Sequence, residues 1–320
     1  MIRFYIHVTF IYITIYAQEN SFKQRGSPMN EPMYSVGPIM KAARKFKKLN
    51  QANVAHAIGC SQSALSKMEH NLLIPSAPQW FLFARFTSIP PESLETGIID
   101  RHSPVKFNSA EVSQGFKIPK KYRNARAVKA REIYPFLQSL ERENSAQVAE
   151  FISSTGLEPE FFLDFDNLVN FQLIADLMSF YIKIGRANSS EIRKIVEVGH
   201  NGIYWDHYGV EWQKLSTIEE VLDAYIGKQM FFQTDFKLRR EGSGDQLALS
   251  YVAEPHLKEF TGKVSDEVVN FLNQYRKYTI ENLIKWVLDK EISLNLIQEL
   301  GPSPFAARFS INPRGREFSS

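Results

Sequence analysis

The stretch from Leu49 to Asn71, LNQANVAHAIGCSQSALSKMEHN, constrains this chain more than any other, because it reads as two short helices joined by a tight turn. Asn50 and Ser61 each stand just before a helical pattern. A short polar side chain there accepts a bond from a backbone N–H that the helix leaves open. Gly59 falls where the chain must leave the first helix, a point at which a left-handed conformation costs other residues most. Val54, Ala55 and Ile58 mark the apolar face of the first helix, and Leu65 and Met68 that of the second. Ala55 is small where two crossing helices must approach closely. Gln62, Ser63, Ser66, Lys67 and His70 are the polar remainder of the second helix and are expected to face outward.

This pattern resembles the helix-turn-helix of the lambda-repressor/Cro, or XRE-type, family. The residues that carry the resemblance are Arg44, the Asn50-Gln51 pair, Ala55, Gly59, Gln62, Leu65 and Glu69, within roughly Val36–Ile98. Asn71 departs from it, since the family has glycine after the second helix; Asn is the next-best residue for a left-handed cap. The resemblance implies an all-α, five-helix DNA-binding domain whose second motif helix lies in the major groove while the first crosses the backbone. Gln62 would then project from the end that meets base edges, where a glutamine amide can pair bidentately with adenine. Ser63 and Lys67 would share its exposed face, Lys67 suiting either a guanine or a phosphate. Gln51 resembles the family's phosphate-binding glutamine at a helix start, and Ser66 is a further phosphate candidate. The expected DNA-binding set is therefore Gln51, Gln62, Ser63, Ser66 and Lys67. Arg44 and Glu69 resemble a family pair that ties the preceding helix to the end of the recognition helix, a structural role.

Ahead of the motif, Lys41–Lys48 (KAARKFKK) brings five positive charges and no acid. Neutralising phosphates is what gives DNA binding its affinity and salt dependence, and the same residues also suit a solvated amphipathic helix with Ala43 and Phe46 inward. After the motif, Pro75 and Pro78 frame a turn into PQWFLFARF, a helix rich in aromatic core residues, and IPPESLETG is expected to close the domain with a short fifth helix.

At 320 residues the chain suits about two domains. Net charge is only +3, so the basic footprint is local. A single cysteine, Cys60, excludes an intramolecular disulfide framework and fits a reducing, cytoplasmic setting; in the turn of the motif it is read as packing. The first seventeen residues, MIRFYIHVTFIYITIYA, resemble a weak signal peptide, with Arg3 ahead of an apolar run ending at Ala17. The run is short for a bilayer span, which needs roughly 20 residues, and His7 interrupts it. Residues 1–33 are therefore expected to be a dispensable or mis-assigned extension, with Met29 or Met33 as the working start, and no membrane partner is expected. The expected order thereafter is a helix-turn-helix domain over 34–100, a linker over 101–121, a larger mixed α+β domain over 122–300 and a flexible tail over 301–320.

Within the larger half, helices are expected at Asn124–Glu143, Ser145–Ser154, up to about Lys183, and Ser190–Gly199. Thr217 with Glu220 three residues on has capping-box spacing. Met230–Arg239 and Gln246–Ala253, separated by a GSGD turn signal, read as an antiparallel hairpin. A long amphipathic helix over Ser265–Lys290 and a strand at Ile292–Gln298 follow. This order, with the Gly156-Leu157 segment through Val169, weakly resembles the effector domain of AraC-type regulators, over roughly Tyr134–Leu300. That resemblance implies a small-molecule sensor; a dimerisation domain is the other reading.

Catalytic chemistry finds little support. There is no GxSxG, Walker loop, Rossmann glycine pattern, HExxH or CxxC. His200, Asp206, His207 and Glu211 form the one cluster with metal-ligand chemistry, and their spacing matches no metal motif. Tyr204, Trp205, Tyr208 and Trp212 could line an apolar pocket, a core or a partner surface. No catalytic residue, metal or cofactor is expected. The expected protein is a DNA-binding transcription regulator whose partners are a double-stranded operator, a second copy of the chain and a small-molecule effector. The alternatives are a helical adaptor that binds another protein and an enzyme domain tethered to DNA.

Overall fold

The computed structural model describes residues 36–91, 93–102, 105, 115–200, 211–298 and 303–313. The N-terminal extension and the segment 201–210, with Tyr204, Trp205, Asp206, His207 and Tyr208, lie outside them. The chain divides into two compact units: residues 1–103, 108–124 and 129–169 form one, and 104–107, 125–128 and 170–320 the other.

The first unit opens with α1 (Val36–Phe46), α2 (Gln51–Ala57), α3 (Gln62–Glu69), α4 (Ala77–Thr87) and α5 (Ser93–Thr96). Local chemistry sets these boundaries. The Asn50 side chain accepts from Asn53 N at 2.7 Å and that of Ser61 from Ala64 N at 3.1 Å, so both motif helices start on a side-chain cap. Gly59 leaves α2 with φ +70°, in the left-handed region. Ser76 and Gln79 close a reciprocal capping box at the start of α4, with Pro78 in its first turn. Ile39, Met40, Ala43, Val54, Ala55, Ile58, Leu65, Met68, Trp80 and Phe83 are buried together as the core of this bundle.

The unit does not end there. Ile99 N donates to Leu163 O at 2.9 Å and Phe165 N donates to Ile99 O at 2.8 Å, so the chain leaving α5 lies strand-like beside residues 163–165. After α6 (Lys120–Arg123), strand β1 (Arg126–Lys129), whose first three residues fall in the other unit, and a 3-10 turn come α7 (Tyr134–Glu143) and α8 (Ser145–Thr155), followed by a 3-10 turn over Pro159–Leu163 and strand β2 (Leu168–Asn170), whose last residue also falls in the other unit. In this division residues 129–169 group with the helix-turn-helix. The expected helix from Asn124 starts only at Tyr134. Arg126–Lys129 is extended and buried throughout, and Pro135 sits in the first turn of α7, where its missing N–H costs nothing.

The second unit contains α9 (Phe171–Lys183), α10 (Ser189–His200), α11 (Ile218–Lys228) and the hairpin β3 (Phe236–Glu241)–β4 (Ala248–Ala253). Then come α12 (Asp266–Leu288), β5 (Ile292–Gln298) and β6 (Ala307–Pro313). The Thr217–Glu220 capping box opens α11. The sheet is antiparallel in the order β3-β4-β6-β5. The structure corrects the expected flexible tail in its first part: Ala307, Phe309 and Ile311 are buried on one face of β6, which lies inside the sheet between β4 and β5. Residues 314–320 lie outside the described part. α12 runs against α9, α10 and β5.

Candidate nucleic-acid interface

The recognition helix α3 exposes Gln62, Ser63 and Lys67 and half-buries Ser66, while Leu65, Met68 and Glu69 point into the bundle. No side-chain partner engages Gln62, Ser63 or Lys67 among the described residues, so their polar groups are free to meet base edges or phosphates.

What holds that helix in place is an ion pair. Arg44 in α1 donates from Nε and Nη2 to the two carboxylate oxygens of Glu69 at 2.5 and 2.8 Å, and from Nη1 to Leu49 O at 3.0 Å. Glu69 is 1% exposed. A bidentate arginine–carboxylate contact fixes orientation as well as distance, so the pair ties α3 to α1.

Gln51 stands at the start of α2, as the sequence suggested. Its amide nitrogen donates to Glu69 Oε2 at 2.9 Å, which makes it a third member of the Arg44–Glu69 network. The residue is half-buried, and the competing acceptor was not evident from its position at a helix start.

The basic run of α1 is also largely spoken for. Lys41 Nζ bonds Glu160 Oε1 at 2.5 Å, Lys45 pairs with Glu158, and Arg44 with Glu69. Lys45 also lies 5.4 Å from the centre of the Phe116 ring. Only Lys47 and Lys48 are exposed and carry no ion pair among the described residues. Of the five positive charges that suited either phosphate or a solvated helix face, three are thus held by acids of the same unit. The physical reason is long-range: Glu158 and Glu160 lie in the segment that folds onto α1.

Two contributions escaped the sequence reading. Asn71 takes the left-handed cap expected of it at φ 57°, and its side chain also accepts from Gly37 N at 2.9 Å, a bond the sequence did not announce. A Cβ at Gly37 would meet Met68 O at 2.3 Å and Glu69 O at 2.7 Å, so only glycine lets α1 start against the last carbonyls of α3. The second is the anchor behind the motif. Arg101 Nη1 bonds both oxygens of Asp164 at 2.7 and 2.8 Å, its backbone N bonds Asp166 at 2.7 Å, and its guanidinium stacks 4.0 Å from the centre of the Phe46 ring. Lys129 pairs with Asp166 at 2.5 Å and Arg131 with Asp100. Burial pushes the Asp164 carboxyl up to about 6, the charge of Asp166 adding to the rise while Arg101 opposes it.

Residues 40–94 match the helix-turn-helix family model. This segment is a helix-turn-helix domain, of the kind that binds DNA. The match speaks for the N-terminal segment alone, and no curated protein matches the chain. Among solved structures, the chain is similar to an iron(II), unliganded H-NOX protein from K. algicida, with 11% identity and TM-score 0.43, over 60% of this chain and 100% of that one. A mutant of that protein matches at 12% and 0.44, over the same shares of the two chains. An oxygen-binding H-NOX domain related to soluble guanylate cyclases matches at 12% and 0.41, over 60% of this chain and 98% of that one. Likeness at that level assigns neither fold nor ligand, and neither comparison shows the AraC-type resemblance. Among the described residues no cluster of His, Cys, Asp or Glu could hold a metal ion, and no helix is long and apolar enough to cross a membrane.

Proposed function

We propose that this chain is a sequence-specific transcription regulator that reads a two-fold operator as a homodimer, through a five-helix domain of the lambda-repressor type. The observation that carries the reading is the free polar face of α3, Gln62, Ser63 and Lys67, held by the buried Arg44–Glu69 pair. One recognition helix reads only a half-site, and half-sites in this architecture repeat about one helical turn apart, which favours two copies. Gln62 and Ser63 would meet base edges, Lys67 a base or a phosphate, and Lys47 and Lys48 would add phosphate contacts. The second unit is read as the part that responds to a small-molecule effector, by favouring one spacing of the two reading heads.

The test is selection of bound fragments from a random duplex library, followed by gel shift with wild type and Gln62→Ala. A consensus with inverted half-sites is expected, and Gln62→Ala should lose discrimination at one base position by roughly 1–3 kcal/mol. Equal retardation of every fragment by both proteins would remove the specific-reader claim.

A further inference from the structure

Helix α4 is apolar on both of its faces. Trp80, Phe83, Ala84 and Thr87 are buried against the bundle at helical spacing. Phe81, Leu82 and Phe86, on the opposite side, are 60, 45 and 42% exposed. The turn that leads into the helix adds Leu72, Leu73 and Ile74 at 76, 41 and 59%. A helix with apolar residues on two sides favours a packed setting, yet among the described residues the outer side is open. Together the six side chains leave on the order of 600 Å² of apolar surface, at the upper end of the largest patch a typical monomer shows.

We propose that this surface is where a second copy of the chain docks, in a two-fold contact formed by α4 and the Leu72–Ile74 turn of each protomer. The inference rests on the reading of the chain as a two-fold DNA reader and says which surface pairs the reading heads. Area is the first argument for a second copy. Two such patches bury roughly 1,200 Å², which reaches the range of specific interfaces, and a self-complementary patch supplies both halves of it. Position is the second. Leu72 lies three residues past the end of α3, after His70 and Asn71, so a contact here sets the spacing of two recognition helices without passing through the second unit. Composition is the third. Exposed Arg85 stands on the same outer face, four residues from Phe81 and three from Leu82; a long arginine stem can lie along apolar surface while its charge stays in water. Such a face offers little to phosphate, and a docking α4 leaves Gln62, Ser63 and Lys67 free.

The experiment is sedimentation of the full chain at micromolar concentration, as wild type and as the double variant Phe81→Glu/Leu82→Glu. Both residues are exposed, and an unchanged far-ultraviolet circular dichroism spectrum checks the fold. The wild type is expected at twice its 36.8 kDa mass and the variant at that mass itself. In parallel, Leu82→Cys in a Cys60→Ser background is expected to give a covalent dimer on mild oxidation. A variant that stays dimeric would place the interface elsewhere and overturn the proposal. So would a monomeric wild type, including one in which cross-linking shows residues 1–35 of the same chain seated on α4. Gln62→Ala separates the two readings: it should lose DNA discrimination and remain a dimer. If no DNA is bound but the glutamate pair still halves the mass, the docking surface stands and the DNA reading fails.

Discussion

Gly37 and Asn71 meet across the back of the recognition helix: the Gly37 N–H donates to Asn71 Oδ1 at 2.9 Å, with no room at Gly37 for a side chain. Asn71 thus does two jobs, adopting the left-handed cap at φ 57° and accepting a bond that ties the end of α3 to the start of α1. The two jobs separate by substitution. Asn71→Gly keeps the cap and loses the bond, and should cost about 1 kcal/mol. Asn71→Ala loses both and should cost about 2 kcal/mol. Gly37→Ala should exceed either, because the carbonyls of Met68 and Glu69 must move, and with them the reading face. Chemical denaturation of the three variants checks the order.

The Arg44–Glu69 pair predicts a different signature. Arg44→Ala leaves the Glu69 carboxylate buried with only the Gln51 amide beside it, and breaking one side of a buried pair costs about 3 kcal/mol. Arg44→Lys keeps the charge but cannot make the two-point contact, and should fall between. Operator affinity should drop in the same order, because the pair orients α3. Full operator affinity in a folded Arg44→Ala variant would contradict the orienting role.

Much of this site is legible in sequence because its determinants are local. Asn50, Gly59 and Ser61 act within three residues of where they stand, and Thr217 with Glu220 does so in the second unit. The lambda-type spacing also brought Arg44 and Glu69 together, although they lie 25 residues apart. What could not be read is the partnering of α1 with Glu158 and Glu160, more than a hundred residues away. No periodicity announces which acids will reach a lysine. Strand β6 is a different case. The alternation of Ala307, Phe309 and Ile311 with Arg308, Ser310 and Asn312 was present, and the surrounding proline, arginine and serine masked it.

That long-range pairing makes a prediction about salt. Each phosphate contact contributes about −0.9 to the slope of log affinity against log salt. Lys47→Gln and Lys48→Asn should each lower the slope's magnitude by roughly one contact, asparagine being chosen because position 48 has φ 56°. Lys41→Gln and Lys45→Gln should leave the slope unchanged, since those ammonium groups face Glu160 and Glu158. A salt titration of operator binding decides; a slope lowered by Lys41→Gln would show that the pair opens on DNA.

The anchor behind the motif should be sensitive to pH in a defined direction. Asp164 is fully buried, and burial lifts its carboxyl to about 6 in the folded protein, against an unfolded value near 4. Between those values the folded state holds more proton than the unfolded state, so by linkage this carboxyl's contribution to stability falls as pH rises. The contribution is complete below about pH 4, declines through the window to about pH 6, and is flat above it. Asp164→Asn removes the titration while keeping an oxygen for Arg101. Denaturant midpoints from pH 4 to 7 should therefore show the wild type losing ground to Asp164→Asn as pH rises. A difference that stays constant, or that grows in favour of the wild type, would mean that Arg101 holds Asp164 ionised throughout and that the anchor is a permanent ion pair.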